Sequence, residues 1–113
     1  MLRRFMLALP LLASAGVSTA QAQSCDTRFV FNNRSSVTVM EFYFDSSRNP
    51  RWTRDELGSG VLPPGQSRRF AAAYSGMYDF RAVLQGGRAV ELRQVNICQI
   101  TNVTLTNGGL SAQ

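Results

Sequence analysis

Short runs of alternating apolar and polar residues, separated by clusters of Gly, Pro, Asn, Asp and Ser, recur from Thr27 to near the end of the chain. A period of two marks half-buried β-strands, and no stretch carries the 3.6-residue period of an amphipathic helix. Thr27 to Phe31 places Phe29 and Phe31 on one side, and Asn32-Asn33-Arg34-Ser35-Ser36 follows as a turn or a corner between sheets. Val37 to Phe44 carries Met40, Phe42 and Phe44 on one face and Val37, Val39 and Tyr43 on the other, which predicts a central strand covered on both sides. Asp45 to Pro50 reads as loop. The Arg51 to Gly58 stretch reads as irregular with one helical turn, and Pro63-Pro64-Gly65 as a turn that launches a strand from Ser67 to Ala73.

The clearest hairpin lies around Gly86-Gly87. Tyr78, Phe80, Ala82 and Leu84 share one face, and Val90 and Leu92 must meet it. A two-residue turn would oppose Phe80 to Arg93, so parity predicts a three-residue loop with a glycine at left-handed φ, pairing Phe80 with Leu92 and Ala82 with Val90. Beyond Leu92 the apolar parity flips to Val95 and Ile97, which predicts a bulge near Gln94. A last strand runs from Ile100 to Thr106, and the tail from about Asn107 is expected to fray. Six to seven short strands predict a single small all-β domain: an antiparallel β-sandwich, immunoglobulin-like in architecture, with a small barrel as the alternative.

The first residues have a different pattern. Arg3-Arg4, an apolar run from Phe5 to Leu12 and a small-residue site ending Ala20-Gln21-Ala22 match a cleavable signal peptide over 1–22, leaving a domain over 23–113. The apolar run is too short to span a bilayer. Arg3-Arg4 lacks the preceding Ser or Thr that would favour twin-arginine export, so the general secretory route is expected. The expected compartment is periplasmic or extracellular.

Export sets the chemistry of the two cysteines. Cys25 and Cys98 are the only pair available in an oxidising compartment and are expected to bond, tying the first strand to the penultimate one. The rival reading makes Cys25 a lipidated anchor, for which Gln23 is a poor processing residue and which strands Cys98 as a lone thiol.

Charge and composition remove several function classes. The chain has 12 basic residues, all arginine, and 7 acids; removing Arg3 and Arg4 lowers the net charge from +5 to +3. The arginines never run beyond a pair, so no nucleic-acid partner follows. With no His and no Lys, His-based hydrolysis, Schiff-base chemistry and histidine-ligated zinc are excluded. Carboxylates remain. Adjacent Asp55 and Glu56, with Asp45, Asp79 and Glu91 elsewhere, are the candidates for a small carboxylate-dependent enzyme or an inhibitor. Adjacent residues rarely face one cleft, so no catalytic residue, cofactor or metal is assigned.

Asp45-Ser46-Ser47-x-Asn49 offers oxygen ligands but a single carboxylate and no bidentate Glu, which suits a turn better than a calcium loop. Asp79 is expected to pair with Arg81 or Arg93 or to accept backbone amides. Asn33-Arg34-Ser35 and Asn102-Val103-Thr104 match the glycosylation pattern, a common chance match in a chain with a bacterial-looking signal.

The residues Asn32-Asn33-x-Ser35, Arg51-Trp52-x-x-Asp55-Glu56-Leu57-Gly58, Leu62-x-Pro64-Gly65-x-Ser67, Tyr78-Asp79-Phe80-Arg81-Ala82-Val83 and Val95-Asn96-Ile97-Cys98 together resemble a family of small exported bacterial all-β proteins with no established activity. The resemblance spans Phe31 to Leu105 and implies a fold and a compartment, but no chemistry. It also implies a cysteine just before the Tyr-Asp pair, where this chain has Met77.

The candidate interaction loop is Arg51, Trp52, Arg54 and Asp55, because Trp and Arg are the commonest interface anchors. The competing expectation has Trp52 folded over a sandwich edge against Leu57 or Val61. The resulting functional reading is an exported, non-enzymatic binding module whose partner is an envelope or extracellular protein or polymer.

Overall fold

The computed structural model describes residues 25–113; the expected signal segment and its cleavage site lie outside them. Seven strands form two sheets: β1 (Arg28–Asn33), β2 (Val39–Ser46), β3 (Ser67–Ala71), β4 (Met77–Leu84), β5 (Ala89–Asn96), β6 (Asn102–Thr106) and β7 (Gly109–Ala112). One sheet runs β3-β1-β6-β7 and the other β2-β4-β5. This is a small β-sandwich, with neither sheet closed into a barrel. Every pairing is antiparallel except β1 with β6, which are parallel. A parallel pair needs a long crossover, and here four strands intervene in the chain.

Phenylalanines join the two sheets. Phe29, Phe31 and Phe70 project from the four-stranded sheet, and Phe42, Phe44 and Phe80 from the other. The Phe31 and Phe42 rings stack at 3.8 Å with 5° between planes, while Phe29 meets Phe44 and Phe80 edge-on at 5.0 and 5.5 Å. Val39, Ile97, Val103 and Leu105 complete the buried centre. Burying each such side chain contributes about 1.5–3 kcal/mol, so this layer is the main favourable term.

The hairpin parity holds. Phe80 faces Leu92 and Ala82 faces Val90. The Leu84 amide donates to Arg88 O at 2.7 Å, enclosing residues 85–87, with Gly86 and Gly87 at φ of 99° and 95°. The bulge expected near Gln94 is present: the register slips between Tyr78 and Phe80, and Gln94 takes φ of 58°.

β2 differs from its expectation. It is an edge strand, and its register with β4 shifts between Val39 and Glu41. The extra residue, Met40, turns outward, and Val39 takes the core position. The connection to β3 then covers β2's free edge. Val39 and Leu62 exchange backbone hydrogen bonds, both at 2.9 Å; the Phe42 amide donates to Asp55 Oδ1 at 3.0 Å, and Phe42 O accepts from the Glu56 amide at 2.7 Å. Edge groups satisfied this way are withheld from foreign strands. The helical turn expected within Arg51–Gly58 is instead a pair of tight turns closed by Gly58 N to Asp55 O and Gly60 N to Leu57 O.

β3 ends at Ala71 rather than Ala73; the Ala72 amide still follows the register, bonding Thr27 O at 3.1 Å, and Ala73 is exposed. The tail beyond Asn107, expected to fray, forms β7 on β6, with Leu110 and Ala112 packed against the core.

The Cys25–Cys98 disulfide is formed, with Cα atoms 5.4 Å apart. Its two ends lie beside strands rather than on them: Cys25 precedes β1, and Cys98 sits in the 3-10 turn Ile97–Gln99 before β6. Linking residues 73 apart in sequence stabilises the fold by roughly 4 kcal/mol in the chain-entropy account.

At the corner between β1 and β2, Asn33 is fully buried. Its Nδ2 donates to Val37 O at 2.8 Å and to Leu62 O at 2.9 Å, and its Oδ1 accepts from the Ser35 amide at 3.0 Å and from Ser35 Oγ at 2.6 Å. Both amide hydrogens are used, so Asn33 is not a glycan acceptor.

Candidate functional site

Side chains that leave the core on β2, β4 and β5 share the outer face of the three-stranded sheet. Tyr43 stands opposite Arg81, Arg81 opposite Glu91, and Asp45 opposite Asp79. Two carboxylates facing each other across strands would repel. They are drawn to different partners. Asp45 Oδ2 accepts from the backbone amides of Arg51 and Trp52, both at 2.7 Å. Asp79 is almost completely buried and accepts from Ser47 Oγ, from the Gln94 amide at 2.8 Å and from Arg93 Nη1 at 3.0 Å.

Each carboxylate therefore fixes a backbone kink. Asp45 holds the turn that brings Trp52 over the sheet, where Trp52 adopts φ of 51°. Asp79 closes the bulge at Gln94 and aims Arg93 outward. Trp52 ends half-buried between Tyr43, with ring centroids 6.2 Å apart, and Arg93, whose guanidinium carbon lies 5.5 Å from the indole centroid. Because β4 separates β2 from β5, the indole spans the face across about 10 Å. Glu91 bonds both Arg81 and Arg93, and Glu41 accepts from the Tyr43 hydroxyl.

The electrostatics follow from these contacts. Burial pushes the Asp79 carboxyl up, but the hydrogen bonds from Ser47, the Gln94 amide and Arg93 outweigh it and hold it below its ordinary value. Glu91 is likewise lowered, with burial opposed by Arg93 and Arg81. The bond to Glu41, assisted by burial, pushes the Tyr43 hydroxyl up to about 12.

The four residues expected to form one interaction loop have separate roles. Arg51 and Arg54 are exposed, and Trp52 lies on Tyr43 and Arg93 rather than on Leu57 or Val61. Asp55 turns into the fold, its Oδ1 accepting from the Phe42 and Leu57 amides at 3.0 and 2.9 Å. Glu56 points away into a groove of about 480 Å³ with Arg54, Phe44, Tyr74 and Tyr78, where burial pushes its carboxyl up. Asp55 and Glu56 thus do not share a cleft. Asp45 serves as a turn residue, and among the described residues no group of three or more His, Cys, Asp or Glu gathers in a way that could hold a metal. The expected pairing of Asp79 with Arg93 and with a backbone amide forms, but the sequence did not place Tyr43, Ser47 and Arg93 together beside Trp52. The alternation of β2 and β5 marks Tyr43 and Arg93 as outward, but nothing local shows that a loop will return over them.

Two outcomes follow. Replacing Gln94 by glycine relieves a left-handed conformation while keeping the backbone amide that Asp79 uses. Urea unfolding of Gln94→Gly is expected to show a gain of about 0.5–1 kcal/mol; a loss would contradict the strain at this bulge. The second concerns acid. Asp79 and Glu91, lowered in the fold, contribute stability that is complete above their ordinary values of 3.8 and 4.5 and is lost as pH falls through their folded-state values. Glu56, raised above 4.5, acts oppositely and gains as it protonates. Urea midpoints measured downward from neutral pH should pass a shallow maximum and then drop below about pH 4.5, and in Arg93→Gln, where the folded-state values of Asp79 and Glu91 lie closer to 3.8 and 4.5, the drop should be smaller.

Comparison with protein-family models, with curated proteins and with solved structures finds no match to this chain, so its function rests on the surface just described.

Proposed function

We propose that this chain is an exported, non-enzymatic binding module that engages an envelope or extracellular protein or polymer through the face formed by Trp52, Tyr43 and Arg93. One observation carries the reading. Trp52 and Gln94, the two non-glycine residues at positive φ among those described, flank the same patch, and their kinks together set an indole against a guanidinium. Left-handed backbone at bulky residues costs about 1–3 kcal/mol and concentrates where function requires a fixed geometry. A half-exposed Trp–Arg–Tyr cluster is the composition of an interface anchor.

The Cys25–Cys98 disulfide supports export, since such bonds persist in oxidising compartments. Spending Asp55 on two backbone amides supports a non-catalytic reading, because it separates the adjacent carboxylates. A soluble mature chain is preferred to a Cys25-anchored one, because Cys25 is already bonded to Cys98.

Affinity capture from an envelope fraction with the folded chain, beside Trp52→Ala, tests the proposal. The expected result is a captured partner whose binding falls about thirtyfold or more in Trp52→Ala, with circular dichroism melts showing both proteins folded. Equal capture by both proteins would remove Trp52 from the interface.

A further inference from the structure

The opposite face of the sandwich has a different chemistry. Glu41, Asp45, Asp55, Glu56, Asp79 and Glu91 all lie on the three-stranded sheet or on the connection that covers its edge. The remaining acid, Asp26, pairs with Arg28 at 2.9 Å with both side chains exposed, a pairing worth little in water.

Two grooves cross the outer face of the four-stranded sheet. The first, about 530 Å³, has Arg28 and Arg69 on its sides, with Val30 and Thr101. The second, about 430 Å³, is lined by Arg34, Asn32, Asn102, Thr104, Ser111 and Gln113. No acidic side chain lines either one, and Arg34 and Arg69 make no ion pair among the described residues. Arg69 stands opposite Val30, and Arg34 lies four residues further along the same strand direction. The two cations are therefore offset by roughly 13 Å along the face.

The polar floor between them is fixed. Ser67 Oγ donates to Asn32 Oδ1 at 2.6 Å, and Asn32 Nδ2 donates to Asn102 Oδ1 at 3.0 Å and to Thr104 Oγ1 at 3.3 Å. Thr104 accepts from within the sheet, which leaves its own proton to be given outward.

We infer that this face binds an acidic polysaccharide, with Arg34 and Arg69 taking anionic groups on separate sugar units and the Asn102–Thr104 row hydrogen-bonding hydroxyls between them. Charge complementarity selects a polyanion. The amide and hydroxyl floor matches sugar hydroxyls, which both donate and accept. Phe29 and Phe70 also line the first groove, but Phe29 is buried and Phe70 packs on the core rings, so neither is a free platform for stacking bases, which single-stranded nucleic acid sites require. The large exposed apolar side chains among the described residues, Met40, Val61, Tyr74 and Met77, line neither groove, so neither offers the projecting anchors of a membrane-surface site.

The probes are oligogalacturonate and a heparin fragment, with neutral dextran as control, titrated into the folded, disulfide-intact domain. Binding of an acidic glycan and not of dextran is expected. Arg34→Gln with Arg69→Gln should weaken it roughly tenfold or more. Arg48→Gln with Arg88→Gln, which removes the same net charge elsewhere, should change it less than about twofold. Thr104→Val should weaken binding with no change in charge, and Trp52→Ala should leave it intact, which separates this site from the Trp52 face. Equal losses from the two arginine pairs would show diffuse attraction and overturn the inference. So would absence of glycan binding, or tighter binding of an oligothymidylate of matched charge.

Discussion

Asn33 sits where the chain leaves one sheet for the other, and its buried carboxamide holds three separate segments together. It binds both the amide and hydroxyl of Ser35 early in the corner, Val37 O at the corner's far end, and Leu62 O on the connection that covers β2. Its backbone adds two more links: Asn33 N to Gln66 O at 2.9 Å, and Gly65 N to Asn33 O at 2.7 Å. A buried amide with all four hydrogen-bonding positions used is costly to disturb, because no water replaces the lost partners. The position of Leu62 fixes Val39 through their paired backbone bonds. From there the same connection reaches back along β2 to Phe42, and Trp52 comes to rest over the outer face. The corner therefore sets both the stacking of Phe31 on Phe42 and the placement of the candidate site.

The sandwich has two dissimilar outer faces. On the three-stranded side, two carboxylates that would repel each other are each satisfied by amides of a kinked backbone, and the kinks present Trp52 and Arg93 together. On the four-stranded side, the acids are absent from both grooves and the polar residues bond one another in a row. A flat sheet face with neither feature would be ordinary solvated surface. Here the fold orders specific groups on each side, and that ordering underlies both functional proposals.

Much of the fold was legible in the sequence wherever parity constrained it. Phe80, Ala82, Val90 and Leu92 had to share a face, which dictated the three-residue loop; the flip to Val95 and Ile97 located the bulge at Gln94. The bulge at Met40 escaped because inserting one residue into a strand apolar on both sides leaves no parity break to see. β7 escaped because Asn107-Gly108-Gly109 reads equally as an ending or as a hairpin turn, and only the free edge of β6 decides between them. The site was half legible. Trp52 stood out by type, but its resting place depends on Asp45 and Asp55 capturing distant backbone amides, a contact that no local pattern encodes.

The central claim is that the Asn33 carboxamide joins the corner to the covering connection. A double-mutant cycle on urea unfolding, pairing Asn33→Ala with Ser35→Ala, combined with amide hydrogen exchange at Leu62 and Val39, tests it most directly. The account predicts that Asn33→Ala destabilises by about 2–4 kcal/mol, that the two substitutions couple, and that Leu62 and Val39 lose protection together. A loss below about 0.5 kcal/mol, with both amides still protected, would contradict it.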